Sequence, residues 1–324
     1  MSLPDESARR AAWSAYWATG GLHSCIGSFE GNYGGAIGGF WRDVFSRLPA
    51  TPVRALDLAT GNGAIPLMLW EQRGQGGALT VDAVDLAQLA PSWHRADQHA
   101  GIRFHAGVAM EALPFDDASF DLVTSQYGFE YARRDSALAE ALRVLKPGGT
   151  LALVMHHAGS VLVQVGRAEL SHQDHLLAIH GLLDCAAAVI PWFAQARRGV
   201  DPGQFPEARA ARAGYNAAIE RLLARIAAGA APDLLVEARD WTHQLLASVG
   251  TDPAPALDAL RRYREAMVAA GLRTAELVSH ALDEAQAQAL VASIRHARPG
   301  ADVRCEPLSQ AEGLLGWGLV LRAG

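Results

Sequence analysis

Lysine occurs once in this 324-residue chain, as Lys146, and no basic run is present; the formal net charge is −6. The net charge and the lack of a basic run argue against a nucleic-acid backbone as substrate, because a phosphate chain is held by clustered cations; the single lysine, beside common arginine, reads as codon bias of a GC-rich genome. Cysteine is scarce as well. Cys25, Cys185 and Cys305 are odd in number and far apart, which speaks against a disulfide framework or a zinc cluster and fits a reducing compartment. No apolar run reaches the ~18–20 residues of a membrane span, so no membrane partner is expected. The opening M-S-L-P-D-E-S-A-R-R is too polar for a signal peptide, and the expected location is the cytoplasm. His172, Asp174, His175 and His180 lie close together, but without an H-E-x-x-H pattern, so no metal site is expected.

What is present is a globular composition, 50% hydrophobic and 19% charged, in a chain long enough for one large domain or a domain with an insertion. Its focal stretch is A-L-D-L-A-T-G-N-G-A-I-P over 55–66. An apolar run ends in an acid, a turn of small residues follows, and a helix-compatible segment begins. Such a turn brings backbone N–H groups and a helix N-terminus near a ligand. Downstream, strands are expected at 78–85, 102–107, 119–125 and 150–155, alternating with helices at 65–72, 89–100 and 136–144. That alternation implies parallel β-α-β units with right-handed crossovers, with the ligand at the carboxyl ends of the strands.

The quoted turn, Asp85 after the second strand, E-A-L-P-F-D-D-A-S-F-D-L-V from 111 and L-R-V-L-K-P-G-G-T-L-A-L-V from 142 together resemble the class I S-adenosylmethionine (SAM)-dependent methyltransferases. The last two phrases resemble the small-molecule branch related to quinone-biosynthesis enzymes. The resemblance covers about residues 50–157. It implies a doubly wound, Rossmann-like α/β fold with a seven-stranded, mostly parallel sheet, and SAM as cofactor. It places Asp57, Ala59, Thr60, Gly61 and Gly63 around the methionine end, with Ala59 standing where the common pattern has a glycine. Asp85, with Leu86 beside it, is expected on the ribose, since a strand-end acid can accept from two hydroxyls. Ala109, Met110 and Glu111 are expected near adenine, where the family often has an acid that Val108 and Ala109 here lack. Ser125 and Gln126 are expected over the sugar and methionine portions.

Three regions fall outside this frame. Residues 1–50 carry Trp13, Tyr16 and Trp17 at i, i+3, i+4, then a glycine-rich segment. They read either as core packing or as a helical lid bringing His23, Glu30, Asn32 and Tyr33 to the site. Residues 158–280 are alanine-rich and punctuated by Gly and Pro clusters, and read as an inserted α-helical cap over the cofactor pocket. One long helical region, with Gly181 as a candidate break, is expected over 161–189, and Tyr215, Asn216, Trp241, His243 and Tyr263 are the cap's candidate pocket residues. Residues 281–324 return to the core, with Asp283 capping a helix and two final strands joined across 307–313. The domain reading is therefore 1–50, 51–157 with 281–324, and 158–280.

For chemistry, His156 and His157 stand at the end of the fifth strand, Glu130 follows the fourth, and Tyr33 lies in the N-terminal segment. These four are the candidate catalytic groups, although Glu130 reads equally as a helix-start residue. The expected function is methyl transfer to a small molecule, a specialised metabolite or amino-acid-like acceptor. Nothing in the sequence opposes a homodimer. Two other readings keep the fold: attack on SAM at another carbon, such as an intramolecular cyclisation releasing methylthioadenosine, and SAM binding without catalysis.

Overall fold

Strand β1, Val53–Leu58, sends successive side chains to opposite sides and is buried on both. Leu56 and Leu58 join a cluster with Phe120, Val123, Leu151 and Leu153, while Val53 and Ala55 join another with Leu122, Ala152 and Val154. A strand that must bury both faces needs helices on both. The computed structural model describes residues 6–25, 29–50, 52–74, 79–229, 231–311 and 313–322. The polar start at 1–5 and residues 26–28 of the glycine-rich segment lie outside the described residues.

The other strands are β2 (Leu79–Asp85), β3 (Ile102–Ala106), β4 (Phe120–Gln126), β5 (Leu145–His156), β6 (Asp302–Gln310) and β7 (Gly313–Arg322). They form one seven-stranded sheet in the order β3-β2-β1-β4-β5-β7-β6. β1 to β5 pair in parallel, and β7 runs antiparallel to both β5 and β6. This is the Rossmann-like, doubly wound α/β fold with an antiparallel edge. The chain fills the sheet outward from β1 in one direction and then from β4 in the other. The crevice at their carboxyl ends is where such sheets hold ligands.

On one face, α4 (Arg134–Val144) and α10 (Glu284–Ala297) contribute Ala137, Leu138, Leu290 and Ile294 to the core. On the other, α2 (Gly35–Ser46) and α3 (Ala64–Arg73) bring Trp41, Phe45, Ile65 and Leu69. α1 (Glu6–Trp17) precedes them. Asp283 caps α10 as expected: its side chain accepts from Gln286 N–H and the Gln286 side chain accepts in return, a reciprocal arrangement that satisfies two helix-end donors.

Three expectations change. Residues 89–100 form turns instead of a helix. Pro91 starts the segment, and Asn62 then takes two of its donors, Ala90 N–H at 2.9 Å and Trp93 Nε1 at 2.7 Å, so tertiary bonds outweigh helical spacing. The K-P-G-G segment does not separate α4 from a strand at 150. β5 already pairs at Leu145 with Phe120 and resumes at Thr150 with Leu122, leaving the segment looped out as a bulge. The link between β6 and β7 is tighter than expected, because pairing extends to Gln310 and Gly313.

The chain divides into two compact units, Met1–Val163 with Glu276–Gly324, and Gln164–Ala275. The second is helical. It is built from α5 (Val161–Leu177), α6 (Leu182–Arg197), α7 (Pro206–Ala228), α8 (Asp233–Ser248) and α9 (Ala254–His280), of which α5 and α9 run across the boundaries. Its core holds Leu176, Leu183, Ile190, Leu222, Leu235 and Leu260, and Trp241 stacks on Tyr263 with centroids 3.9 Å apart. Taken as one stretch, Val161–Arg197 is long and apolar enough by composition to cross a membrane, contrary to the sequence reading. The chain turns at His180, with φ 61°, and Gly181, which splits it into helices of 17 and 16 residues.

Candidate functional site

At the carboxyl ends of β1, β2 and β4 lies a cleft lined by Asp57, Asp85, Gln126 and Tyr127 together with residues of the N-terminal segment. Every residue lining it belongs to the first unit. Its floor is built by backbone geometry. Ala59, at φ 51°, and Gly61, at φ 55°, turn the chain sharply after β1, and Gly63, at φ 83°, opens α3. A Cβ on Gly63 would stand 2.7 Å from the Phe104 ring, so only glycine fits there.

Two buried acids face this turn. Asp85, at the end of β2, accepts from Gly61 N–H and from Ala87 N–H, both at 2.8 Å. Each carboxylate oxygen retains an acceptor site for a further donor. Burial raises its pKa, and those backbone donors oppose the rise. Asp57 is paired in register with Thr124, whose hydroxyl donates to Asp57 Oδ1 at 2.6 Å. Burial pushes its pKa up to about 7, against the pull of Thr124, since no protein cation neutralises it among the interactions that shift it. Gln126 is held by Trp41 Nε1, which donates to its Oε1 at 2.6 Å, and its Nε2 is buried without a partner. A buried amide donor left over in this way is expensive unless a ligand takes it.

Of the expected cofactor residues, Asp57, Ala59, Thr60, Asp85, Leu86, Ala109, Met110, Glu111 and Gln126 line the cavity. Gly61 and Gly63 shape the turn, and Ser125 lies beneath, fully buried, with its hydroxyl on Leu58 O at 2.9 Å. Glu111 has a structural task as well, accepting from Arg133 N–H at 3.0 Å just before α4.

The four candidate catalytic residues are separated. Tyr33 lines the cavity. Burial holds its hydroxyl well above the usual phenol range, so at neutral pH it keeps its proton. Glu130 and His156 lie deeper: Glu130 Oε1 accepts from His156 N–H at 2.7 Å and meets His156 Nδ1 at 2.6 Å. They stand behind Tyr127, whose ring is 4.0 Å from the His156 ring and which does line the cavity. His157 is elsewhere, stacked on Trp317 with centroids 4.4 Å apart.

The N-terminal segment supplies more of the site than its aromatic spacing alone indicated. Arg9, Arg10, Trp13 and Trp17 of α1 all line the cavity, as do His23 and Ser24. His23 stacks on Tyr33 with centroids 4.3 Å apart, and its Nδ1 accepts from Cys25 N–H at 3.2 Å. Burial lowers its pKa, so the imidazole is neutral at physiological pH. Asn62 fastens the segment to the turn by donating to Trp17 O at 2.9 Å and Gly21 O at 2.8 Å. The i, i+3, i+7 spacing of Arg10, Trp13 and Trp17 was the signal available in the sequence. Among the described residues, no group of three or more potential metal ligands is gathered.

Sheet order, strand-end acid and glycine turn define a class I, Rossmann-like methyltransferase fold. Residues 56–153 match the family described as methyltransferase domain, and this part of the chain is similar to methyltransferases of quinone biosynthesis. A demethylmenaquinone methyltransferase of Thermus thermophilus is 39% identical over 115 residues, 35% of this chain and 51% of that protein. A ubiquinone/menaquinone biosynthesis C-methyltransferase of Methylobacterium nodulans is 46% identical over 101 residues, 30% of this chain and 40% of that protein. The chain thus spans about half the length of these relatives or less. A solved Burkholderia thailandensis 1,6-didemethyltoxoflavin-N1-methyltransferase is 19% identical with a TM-score of 0.38, covering 48% of this chain and 66% of that one.

Proposed function

We propose that the protein binds SAM in this cavity and transfers its methyl group to a small-molecule acceptor. The observation that carries the reading is Asp85: a buried carboxylate at the end of β2, oriented by two backbone donors, with acceptor capacity left for the ribose hydroxyls. The rest of the cavity suits the cofactor. Asp57 is a buried acid without a cation, and the ammonium of SAM would supply one. Gln126 Nε2 is a donor without an acceptor. Ala109 and Met110 offer an apolar lining for adenine.

Bound SAM would supply an electrophilic methyl on its sulfonium, taken by the acceptor nucleophile with S-adenosylhomocysteine as the leaving group. The protein's share is positioning and exclusion of water. Tyr127 and Tyr131 present rings to the cavity, and Glu130 with His156 holds Tyr127 from behind. Tyr33 is the cavity-lining candidate from the original four and acts as a hydrogen-bond donor to the acceptor. The identity of the relatives and the aromatic residues lining the cleft favour a small organic acceptor over a macromolecule, and three free thiols fit a cytoplasmic setting.

The test is incubation of the purified protein with SAM carrying a labelled methyl, alone and with a fractionated small-metabolite extract. Label appearing in an extract compound, with S-adenosylhomocysteine formed in step, supports the reading. Methylthioadenosine formed from SAM alone would replace it with intramolecular cyclisation. Binding with no turnover under either condition would leave a SAM-binding protein.

A further inference from the structure

In α1, Arg10, Trp13 and Trp17 share one face and all line the cavity. Seven residues of helix rise about 10 Å, so Arg10 and Trp17 meet the cleft at separate places. At one end the Trp17 indole covers Gly61, leaving no room for a Cβ. At the other, Arg10 Nη2 lies 3.8 Å from where a Cβ on Gly107 would stand, and Arg10 makes no ion pair among the described residues. Under the SAM reading, on which this inference rests, these are the methionine and adenine ends.

Between them stands a latch. Glu276, 2% exposed, accepts from Trp13 Nε1 at 3.2 Å and pairs with Arg9 Nη1 at 3.5 Å. Arg9 Nη1 also donates to Tyr131 O at 3.0 Å. A carboxylate this buried is costly without its partners. Lifting α1 would strip both from it, so the closed position is favoured.

We propose that α1 is a wall of the cofactor site, with Arg10 stacking its guanidinium on adenine and Trp17 covering the methionine end, and that Glu276 is the positioning residue that latches it. Cofactor enters and product leaves when the Glu276 contacts open. A planar guanidinium suits an aromatic base face, which a lysine would not replace.

The experiment is stopped-flow tryptophan fluorescence on the full chain with S-adenosylhomocysteine as probe, comparing wild type with Glu276→Gln, Trp13→Phe and Arg10→Ala. Glu276→Gln is expected to speed dissociation about tenfold, the loss of one charge-assisted hydrogen bond, and to speed association as well. Trp13→Phe keeps an aromatic side chain but removes the N–H donor along with part of the indole, and should move both rates the same way by a smaller factor. It keeps the test decisive if Glu276→Gln fails to fold. Arg10→Ala should raise Kd about fivefold at an unchanged unfolding temperature. Probe binding to wild type, with exchange rates in both latch variants within about twofold of it, would overturn this inference and leave the SAM reading standing. Failure of wild type to bind the probe would overturn both.

Discussion

The methyl group of Ala59 fills the space that a side chain at position 128 would need: a Cβ built on Gly128 runs into the Ala59 Cβ. Both residues line the cavity. Ala59 (φ 51°) and Tyr127 (φ 52°) also hold left-handed backbone conformations that cost of order 1 kcal/mol each outside glycine. The two lips of the cleft are therefore tight and coupled.

That coupling predicts a non-additive pair. Gly128→Ala should destabilise by about 1–3 kcal/mol, as overpacking does. Ala59→Gly should recover part of the loss, with an interaction energy of about 1 kcal/mol or more in the double-mutant cycle. Denaturant melts of the four proteins measure it; strict additivity would remove the proposed collision.

Asp85→Ala should weaken SAM binding by at least ~1.5 kcal/mol, the scale of lost charge-assisted hydrogen bonds. Isothermal calorimetry decides. Unchanged affinity would remove the ribose from Asp85.

Asp57 gives a pH dependence with a definite sign. Its carboxyl titrates near 7 when buried and near ~3.9 in the unfolded chain. Between those values the folded state holds the proton that the unfolded state has lost, so stability falls as pH rises across that window. Asp57→Asn should flatten this slope in urea melts taken from pH 4 to pH 8, and an equal slope in both proteins would contradict it. Affinity for SAM should move oppositely, strengthening as pH rises through about 7 and Asp57 becomes the anion that a cationic ligand wants.

Arg143 ties the A-L-P-F-D-D phrase to α4. Its guanidinium donates to Leu113 O at 3.1 Å and Phe115 O at 2.8 Å, and pairs with Asp117 and Glu140. Arg143→Ala should cost about 1–3 kcal/mol through the stranded carbonyls and the unpaired Glu140. Arg143→Lys should recover little, because one ammonium cannot reach the four partners of a planar fork. Thermal melts of both variants, with hydrogen exchange over 111–117, read the effect.

Much of the sheet was legible in the chain because β1, β2, β4 and β5 are short apolar runs bounded by acids, glycines and prolines, and because a buried parallel strand needs that composition. Residues 89–100 were misread because helical spacing is a local property, whereas Asn62 captures their donors from 28 and 31 residues away. The turn and its acid were legible for a similar reason: Gly61 and Gly63 hold positive φ, which favours glycine, and Asp85 follows the glycine turn at a fixed topological distance. The placing of the candidate catalytic groups was not. His156, His157 and Glu130 share the strand-end position that suggests chemistry, but which side of β5 each ring takes depends on packing against Tyr127 and Trp317, and on Glu130 being buried where it can hold His156.

By itself, the sequence determined the alternation of strand and helix, the glycine turn with its two acids, and the cap at Asp283, since each rests on backbone geometry or on contacts a few residues apart. Only the tertiary structure decided that α1 walls the cleft, that Glu276 receives Trp13 from 263 positions away, and that Tyr33 reaches the cavity while the two histidines do not. Side-chain proximity across such separations is set by how the elements pack, and no spacing along the chain encodes it.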